Sequence, residues 1–325
     1  MPPSTDINPS NFRRVVFVLA AIACATPWAS GPIALFAGIA LSLAGLSAFE
    51  GHAKKVSKIL VQCCVVLLGL RLNLSQLAGA ALDGVVFAIA TIGGAFALGW
   101  GLSRLLRIGG ELGTLVNAGT AICGASAIAA VGSSIAAAPA SVAVATGAIF
   151  VLNAVGLSVL PMIGHALNLT DVQFGTWAGV ALHDVASVAS AASHYHATGD
   201  TQTNVALDTA NVVKMTRVLW ILPIALLARK YLRPAGSTAT SSPFPWFILW
   251  FIAASGVRSI WPQLAGTETT TRAIAACGFQ IALFLIGSGL STRALKAVGW
   301  RVFAHATILW LAVAGASLAA IVFLQ

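Results

Sequence analysis

Apolar runs long enough to span a bilayer recur along the chain from Val15 to Gln325, separated by short charged clusters and by no long polar insertion. A helix needs about 20 apolar residues to cross a hydrocarbon layer roughly 30 Å thick, where every backbone polar group must be satisfied inside the protein. That requirement leaves a bundle of transmembrane helices as the expected fold. Composition agrees. Of 325 residues, 58% are apolar and 8% charged, with mean hydropathy +0.91, against about 25% charged in soluble domains. Cys24, Cys63, Cys64, Cys123 and Cys277 all fall in apolar segments, where a thiol serves as a small packing group.

Reading apolar runs between charge clusters gives about eleven candidate spans, near 14–30, 32–49, 58–74, 84–101, 113–136, 139–162, 173–194, 203–228, 244–261, 270–290 and 302–324. Arg13-Arg14 ahead of Val15–Ala29 reads as the entry to a first span, not as a cleaved leader. With the N-terminus in the cytoplasm, thirteen of the eighteen basic residues fall in inside loops: Arg13, Arg14, Lys54, Lys55, Lys58, Arg104, Arg107, Arg229, Lys230, Arg233, Arg293, Lys296 and Arg301. Arg71, Arg258 and Arg272 fall outside, and Lys214 and Arg217 lie within a span. This asymmetry predicts an odd number of crossings and an external C-terminus. Residues 1–12 then form a cytoplasmic tail, 13–325 one transmembrane domain, and 233–245 a flexible cytoplasmic linker.

An internal echo accompanies the spans. Gln62/Gln280, Leu67/Leu285, Gly69/Gly287, Leu72/Leu290 and Leu77/Leu295 match at an offset of 218, as does Gly38/Gly256. The first copy would run outward and the second inward. That is the arrangement of an inverted-repeat carrier, with candidate halves at 31–101 and 249–320. The expected fold is therefore all-α: a polytopic membrane protein of about eleven helices, with an inverted repeat and one or two discontinuous helices.

Three constellations carry chemistry. His183-Asp184 interrupts the apolar run Gly175–Ala192, and ionisable groups at membrane depth usually mark an ion path, a proton relay or a substrate site. Read as one continuous helix, that run carries a polar stripe of Thr176, His183, Ser187, Ser190 and His194 on a single face. The bland alternative is a structural pair that caps a helix. Next come Asn204, Asp208 and Asn211, then Lys214 and Arg217. Arg217 lies close enough to the inner boundary to snorkel, whereas Lys214 is deeper and needs an anionic partner: Asp208, Asp184 or a bound anion. The third is Asn117–Ile135, rich in glycine and serine. It is either a small-residue packing face carried by Ala121, Ala125 and Ala129, or a helix unwound near Gly119-Thr120 or Cys123-Gly124. An unwound helix would turn a half-helix N-terminus, with Asn117, Thr120, Cys123 and Ser126, toward an anion. Ala121-Ile122-Cys123-Gly124 and Ala181-Leu182-His183-Asp184 look like two versions of one pattern, offset by 60.

Other chemistries find no motif. No P-loop, nucleophile elbow or HExxH occurs, so an enzyme is not expected. His194-Tyr195-His196 with Asp200 lacks the cysteines of a strong metal site, so neither metal nor cofactor is expected. No basic helix or RNA-binding motif points to nucleic acid.

Gly119–Gly132 (GTAICGASAIAAVG), Gly179–Ala192 (GVALHDVASVASAA), Val213–Leu219 (VKMTRVL) and the Leu67–Leu72 run (LLGLRL) together resemble the YeiH-type family of sulfate exporters. Leu182 stands where that family has Val, and Met215 where it has Leu. The resemblance implies a bacterial inner-membrane protein that exports sulfate or a related small anion. Its likeness to bile acid symporters and sodium/proton antiporters is one of architecture alone.

Joined to the residues, this gives an expected secondary transporter of a small inorganic or sulfonated anion. Asn117, Thr120, Cys123, Gly124, Ser126, Asn211 and Lys214 would bind the anion. His183, Asp184 and Asp208 would couple its movement to protons or sodium. The remaining partners are the lipid bilayer and a second copy of the chain. A cation/proton antiporter using Asp184 and Asp208, a passive anion channel, and a non-transporting scaffold are the rival readings.

Overall fold

The computed structural model describes residues 9–26, 29–72, 74–195, 204–232, 246–290 and 298–324, and the linker 233–245, His196 and Asp200 lie outside them. All regular structure in the described residues is helical. In chain order the helices are α1 (Pro9–Cys24), α2 (Gly31–Leu43), α3 (Glu50–Gly69), α4 (Leu74–Leu105), α5 (Gly110–Ala118), a π-helical turn (Gly119–Cys123), α6 (Ala125–Ser134) and α7 (Pro139–Ala166). There follow α8 (Asp171–Ala181), α9 (Val185–Ser193), α10 (Val205–Leu219), α11 (Ile221–Leu232), α12 (Trp246–Ile260), a 3-10 turn (Pro262–Thr267), α13 (Glu268–Ser288) and α14 (Trp300–Leu324). Five stretches among the described residues are long and apolar enough to cross a membrane: Val85–Leu105, Pro139–Ala166, Val205–Leu232, Glu268–Ser288 and Trp300–Phe323.

Two segments that the hydropathy offers as spans turn back on themselves. In 110–134, the Ala138 amide donates to Glu111 Oε1 at 3.1 Å. A Cβ on Gly132 would sit 3.4 Å from Leu115, and one on Gly119 2.8 Å from Ile128. The start of α5 therefore lies beside the end of α6. In 171–195, Tyr195 Oη donates to the Leu169 carbonyl at 2.7 Å. The Tyr195 ring also stacks on Phe174 (3.7 Å) and His165 (4.4 Å). At 1.5 Å per residue the nine residues of α5 and the eleven of α8 reach about 14 and 16 Å, half the depth of a bilayer.

The reversals have local causes. Gly124 adopts φ 61°, ψ −127°, a conformation open essentially only to glycine. At the other tip Leu182 and Asp184 are extended, and the Asp184 side chain caps α9 by accepting the Ser187 amide at 2.9 Å. A single polar face from Thr176 to His194 therefore does not exist, because the helix ends at Ala181 and restarts at Val185 in a new direction.

The hairpins enter from opposite ends of the bundle. α5 lies against the C-terminal part of α4, where Gly99 meets Asn117 and Ser103 meets Gly113. α8 lies along the N-terminal part of α10, with Gly175 against Ala206 and Thr209, and Gly179 against Val213. The two glycines, four residues apart, let the backbones approach closely. Hairpin α5–α6 thus springs from the basic end of the bundle, beside Arg104 and Arg107, and α8–α9 from the opposite end.

Around this pair, α2 runs parallel to α13, with Gly31 against Leu283, Gly38 against Phe284 and Ser288, and Ser42 Oγ donating to the Leu290 carbonyl. α3 runs antiparallel to α13, Cys64 facing Gly278. The bounds of α12 and α13 fall within a few residues of those of α2 and α3 shifted by 218, and those of α7, α8 and α9 lie near those of α4, α5 and α6 shifted by about 60.

Candidate functional site

The two hairpin tips meet beside the middle of α10–α11. A Cβ added to Gly124 would lie 3.3 Å from both the Cβ and the carbonyl oxygen of His183. Each tip presents carbonyls that a helix C-terminus leaves without intrahelical partners, together with the partial negative charge of that end. Cations from α10 meet them. Lys214 Nζ donates to the Ile122 carbonyl at 3.1 Å and to the Leu182 carbonyl at 2.6 Å, joining the tips. Arg217 donates to the Ala121 carbonyl and, at 2.7 Å, to Thr91 Oγ1 of α4. Trp310 Nε1 of α14 donates to the Ala181 carbonyl at 2.8 Å.

Lys214 and Arg217 are each 1% exposed. Arg217 does not snorkel to a boundary as its position in the sequence suggests, because two acceptors inside the bundle hold it. Lys214 pairs with neither Asp208 nor Asp184; its hydrogen-bond partners are the two carbonyls.

Asp184 is enclosed by donors. Besides the Ser187 amide, its carboxylate accepts from Ser187 Oγ at 2.7 Å and from Asn153 Nδ2. Asn153, in the middle of α7, also accepts the His183 amide on Oδ1 at 2.9 Å. Neither end of that amide can flip without losing a bond. The sequence reading passed over Asn153, although a lone amide in the 28-residue apolar α7 satisfies the same rule that singled out His183.

The residues expected to bind or couple are only partly brought together. Thr120 in the π turn, His183 at the α8–α9 break and Asn211 one turn before Lys214 are buried, and their side-chain polar atoms have no hydrogen-bond partner among the described residues. Cys123 is buried at the end of the π turn. Asn117 instead pairs with His305 of α14, at 2.8 Å between Oδ1 and Nε2. Ser126 lies on the exposed side of α6. Asp208 sits near the end of the bundle opposite the basic one, in an ion pair with Arg71 at 3.2 Å. Of tip residues 119–126 and 181–187, only Ala125, Ser126 and Asp184 reach the surface.

The tips are not equivalent. Asp184 caps the N-terminus of α9, while the matching position sixty residues earlier is Gly124, which has no side chain to cap α6; there the Cys123 thiol meets the Ala127 amide. Ala118/Ala178, Gly119/Gly179, Ala121/Ala181, Ala129/Ala189 and Ser133/Ser193 coincide at the same offset. The tips thus gather two buried cations, one carboxylate and one helix N-terminus without an acidic cap.

Residues 15–306 match the family model described as Conserved hypothetical protein 698. The chain belongs to that family. It is the YeiH-type family that the four segments resemble. A UPF0324 membrane protein of Geobacter sulfurreducens is 35% identical over 315 residues, covering 97% of this chain and 98% of the relative. One from Vibrio parahaemolyticus is 36% identical over 310 residues (95% and 98%), and one from Porphyromonas gingivalis 38% over 302 residues (92% and 89%). No solved structure matches the chain. Nearly full-length relatives named as membrane proteins, together with the apolar helices, make this a helical membrane protein.

Proposed function

We propose that the protein is a secondary transporter for a small inorganic or sulfonated anion, of the sulfate class, that alternates access between the two membrane faces. The observation that carries this reading is the charge at the tips. Two buried cations, Lys214 and Arg217, gather at tips that hold one carboxylate, Asp184, and burying unbalanced charge in hydrocarbon is costly. An anion beside the N-terminus of α6, which has no acidic cap, would complete the balance. Thr120, His183 and Asn211 supply buried polar groups around it, and Ser126 lies at its approach.

Nine crossings and two re-entrant hairpins suit this role. α1–α4, α7, α10–α11, α12, α13 and α14 cross, with the N-terminus in the cytoplasm and the C-terminus outside the inner membrane. One hairpin serves as a gate from each face. The element correspondences at offsets of 218 and 60 support an inverted-repeat origin.

The test is counterflow of labelled sulfate, sulfite and taurine into proteoliposomes holding the unlabelled anion. Saturable uphill counterflow supports the carrier, whereas flux that only runs downhill marks a channel. The part-exposed Asp184 favours a second reading, cation/proton exchange. Against it, three donors already occupy that carboxylate. Flux driven by sodium and indifferent to the anion would select the second reading.

A further inference from the structure

α1 is seated on the bundle by one aromatic ring and leaves a groove beside it. Phe17, 4% exposed, sets its ring 5.1 Å from Phe284 of α13 and 6.2 Å from Phe49, just before α3. Further along α1 the side chains are small, and Ala21 and Ala25 line a groove of about 270 Å³ with Val18, Ile22 and Ile281 of α13. Every lining residue is apolar, and the space is far larger than the ~30 Å³ of a water molecule. Val18, Ile22 and Phe49 are each about half exposed, so the groove opens sideways, onto the surface that lipid covers in a membrane protein.

Positive charge gathers at one end of this groove. Arg14, Val18, Ala21 and Ala25 follow at intervals of four, three and four, and so share one face of α1. The Arg14 guanidinium lies 5.7 Å from the centre of the Phe49 ring, and it makes no ion pair among the described residues. Phe49 is held there at φ 62°, a left-handed conformation that a bulky residue rarely adopts. Arg13 donates to the Ser47 carbonyl at 3.4 Å, which sets the start of α1 beside the start of α3. Between residues 9 and 69 there are five Lys and Arg, at 13, 14, 54, 55 and 58, against one acidic residue, Glu50. From Arg14 to Ala25 the helix rises about 16 Å, close to the ~15 Å depth of one hydrocarbon leaflet.

We propose that this groove is a binding site for an anionic phospholipid, with the phosphate held by Arg14 beside Phe49 and one acyl chain laid between α1 and α13. An apolar slot of leaflet length with a cationic head matches an amphiphile of opposite charge. A second copy of the chain matches it poorly. A two-fold axis along the bilayer normal would bring the same basic cluster from each copy together. The site requires a membrane protein and stands independently of the transport reading.

The experiment is native mass spectrometry of the full chain in detergent with equimolar palmitoyl-oleoyl phosphatidylglycerol and phosphatidylcholine, which share their chains and differ in charge. The one-to-one complex with phosphatidylglycerol is expected to exceed that with phosphatidylcholine about fivefold, the ratio for one cation at the membrane surface. Arg14→Gln brings the ratio close to one, whereas Arg229→Gln, an exposed cation on α11, leaves it unchanged. Ala21→Trp and, as a milder filling of the groove, Ala25→Leu lower retention of phosphatidylglycerol to that of phosphatidylcholine. Equal retention of the two lipids by wild type overturns the site, as does a ratio that Arg229→Gln lowers as much as Arg14→Gln. A lipid-free dimer mass that both groove-filling variants lose would assign the groove to a second copy instead.

Discussion

At Asp184 every lone pair that faces the protein is spoken for, and this makes the residue sensitive to a change that looks conservative. Asp184→Asn would keep an oxygen for the Ser187 amide but turn an NH2 group toward the NH2 of Asn153, donor against donor. Asn153 cannot flip to relieve this, because its Oδ1 holds the His183 amide. The expected cost is about 1–3 kcal/mol, the penalty of leaving a buried donor unmatched. The exchange Asn153→Asp with Asp184→Asn returns a carboxylate to accept from both sides, so it recovers most of the loss as a coupled pair should. Melting temperatures of the two single variants and the exchange in detergent decide it. An exchange no better than Asp184→Asn would mean that the two side chains do not face each other as described. Lys214 carries a similar lesson. Its depth and charge were legible in the sequence, but its partners were not, because backbone carbonyls at a helix end leave no mark in residue type.

Helix breaks were legible where glycine makes them and hidden where it does not. The Gly-rich run around Cys123-Gly124 suggested an unwound helix, and the structure places the break at Gly124. His183-Asp184 sits among good helix formers with a regular polar spacing, so the stretch read as continuous. Only the cap from Asp184 to Ser187 and the extended Leu182 end α8 and start α9. Glycines at a break and inside a continuous helix also differ in tolerance. Gly124→Ala would force a Cβ into a left-handed conformation 3.3 Å from His183, at about 1–3 kcal/mol for the backbone alone. Gly93→Ala in α4 meets no atom within 4 Å, and replacing a mid-helix glycine there is expected to stabilise by up to about 1 kcal/mol. Thermal melts of the two variants should move in opposite directions. A Gly124→Ala protein as stable as wild type would remove the proposed reason for the sharp turn.

Hydropathy could not distinguish a helix that crosses from two half-helices that return, since both offer one apolar segment of the same length. Charge could not help either. The turn 135–138 and the loop 167–170 hold no Lys or Arg, so moving each to the other face leaves the basic asymmetry as it was. Two reversals together also preserve the odd parity, so both counts give the same expected sides for the termini. The two topologies nevertheless part at those loops. With eleven crossings, 138 lies on the face opposite Arg107 and 166 on the same face as Arg107. With nine crossings and two hairpins, 138 joins Arg107, held there by the Glu111 bond to the Ala138 amide, and 166 moves to the other side with Tyr195. Ala138→Cys and Ala166→Cys replace exposed side chains, so neither should disturb packing. In right-side-out vesicles an impermeant thiol reagent is expected to label Ala166→Cys directly. Ala138→Cys and Arg107→Cys should react only after the vesicles are opened. The reverse pattern for Ala138 and Ala166 would mean that the two segments cross the membrane, and the gates proposed for the transport cycle would go with it.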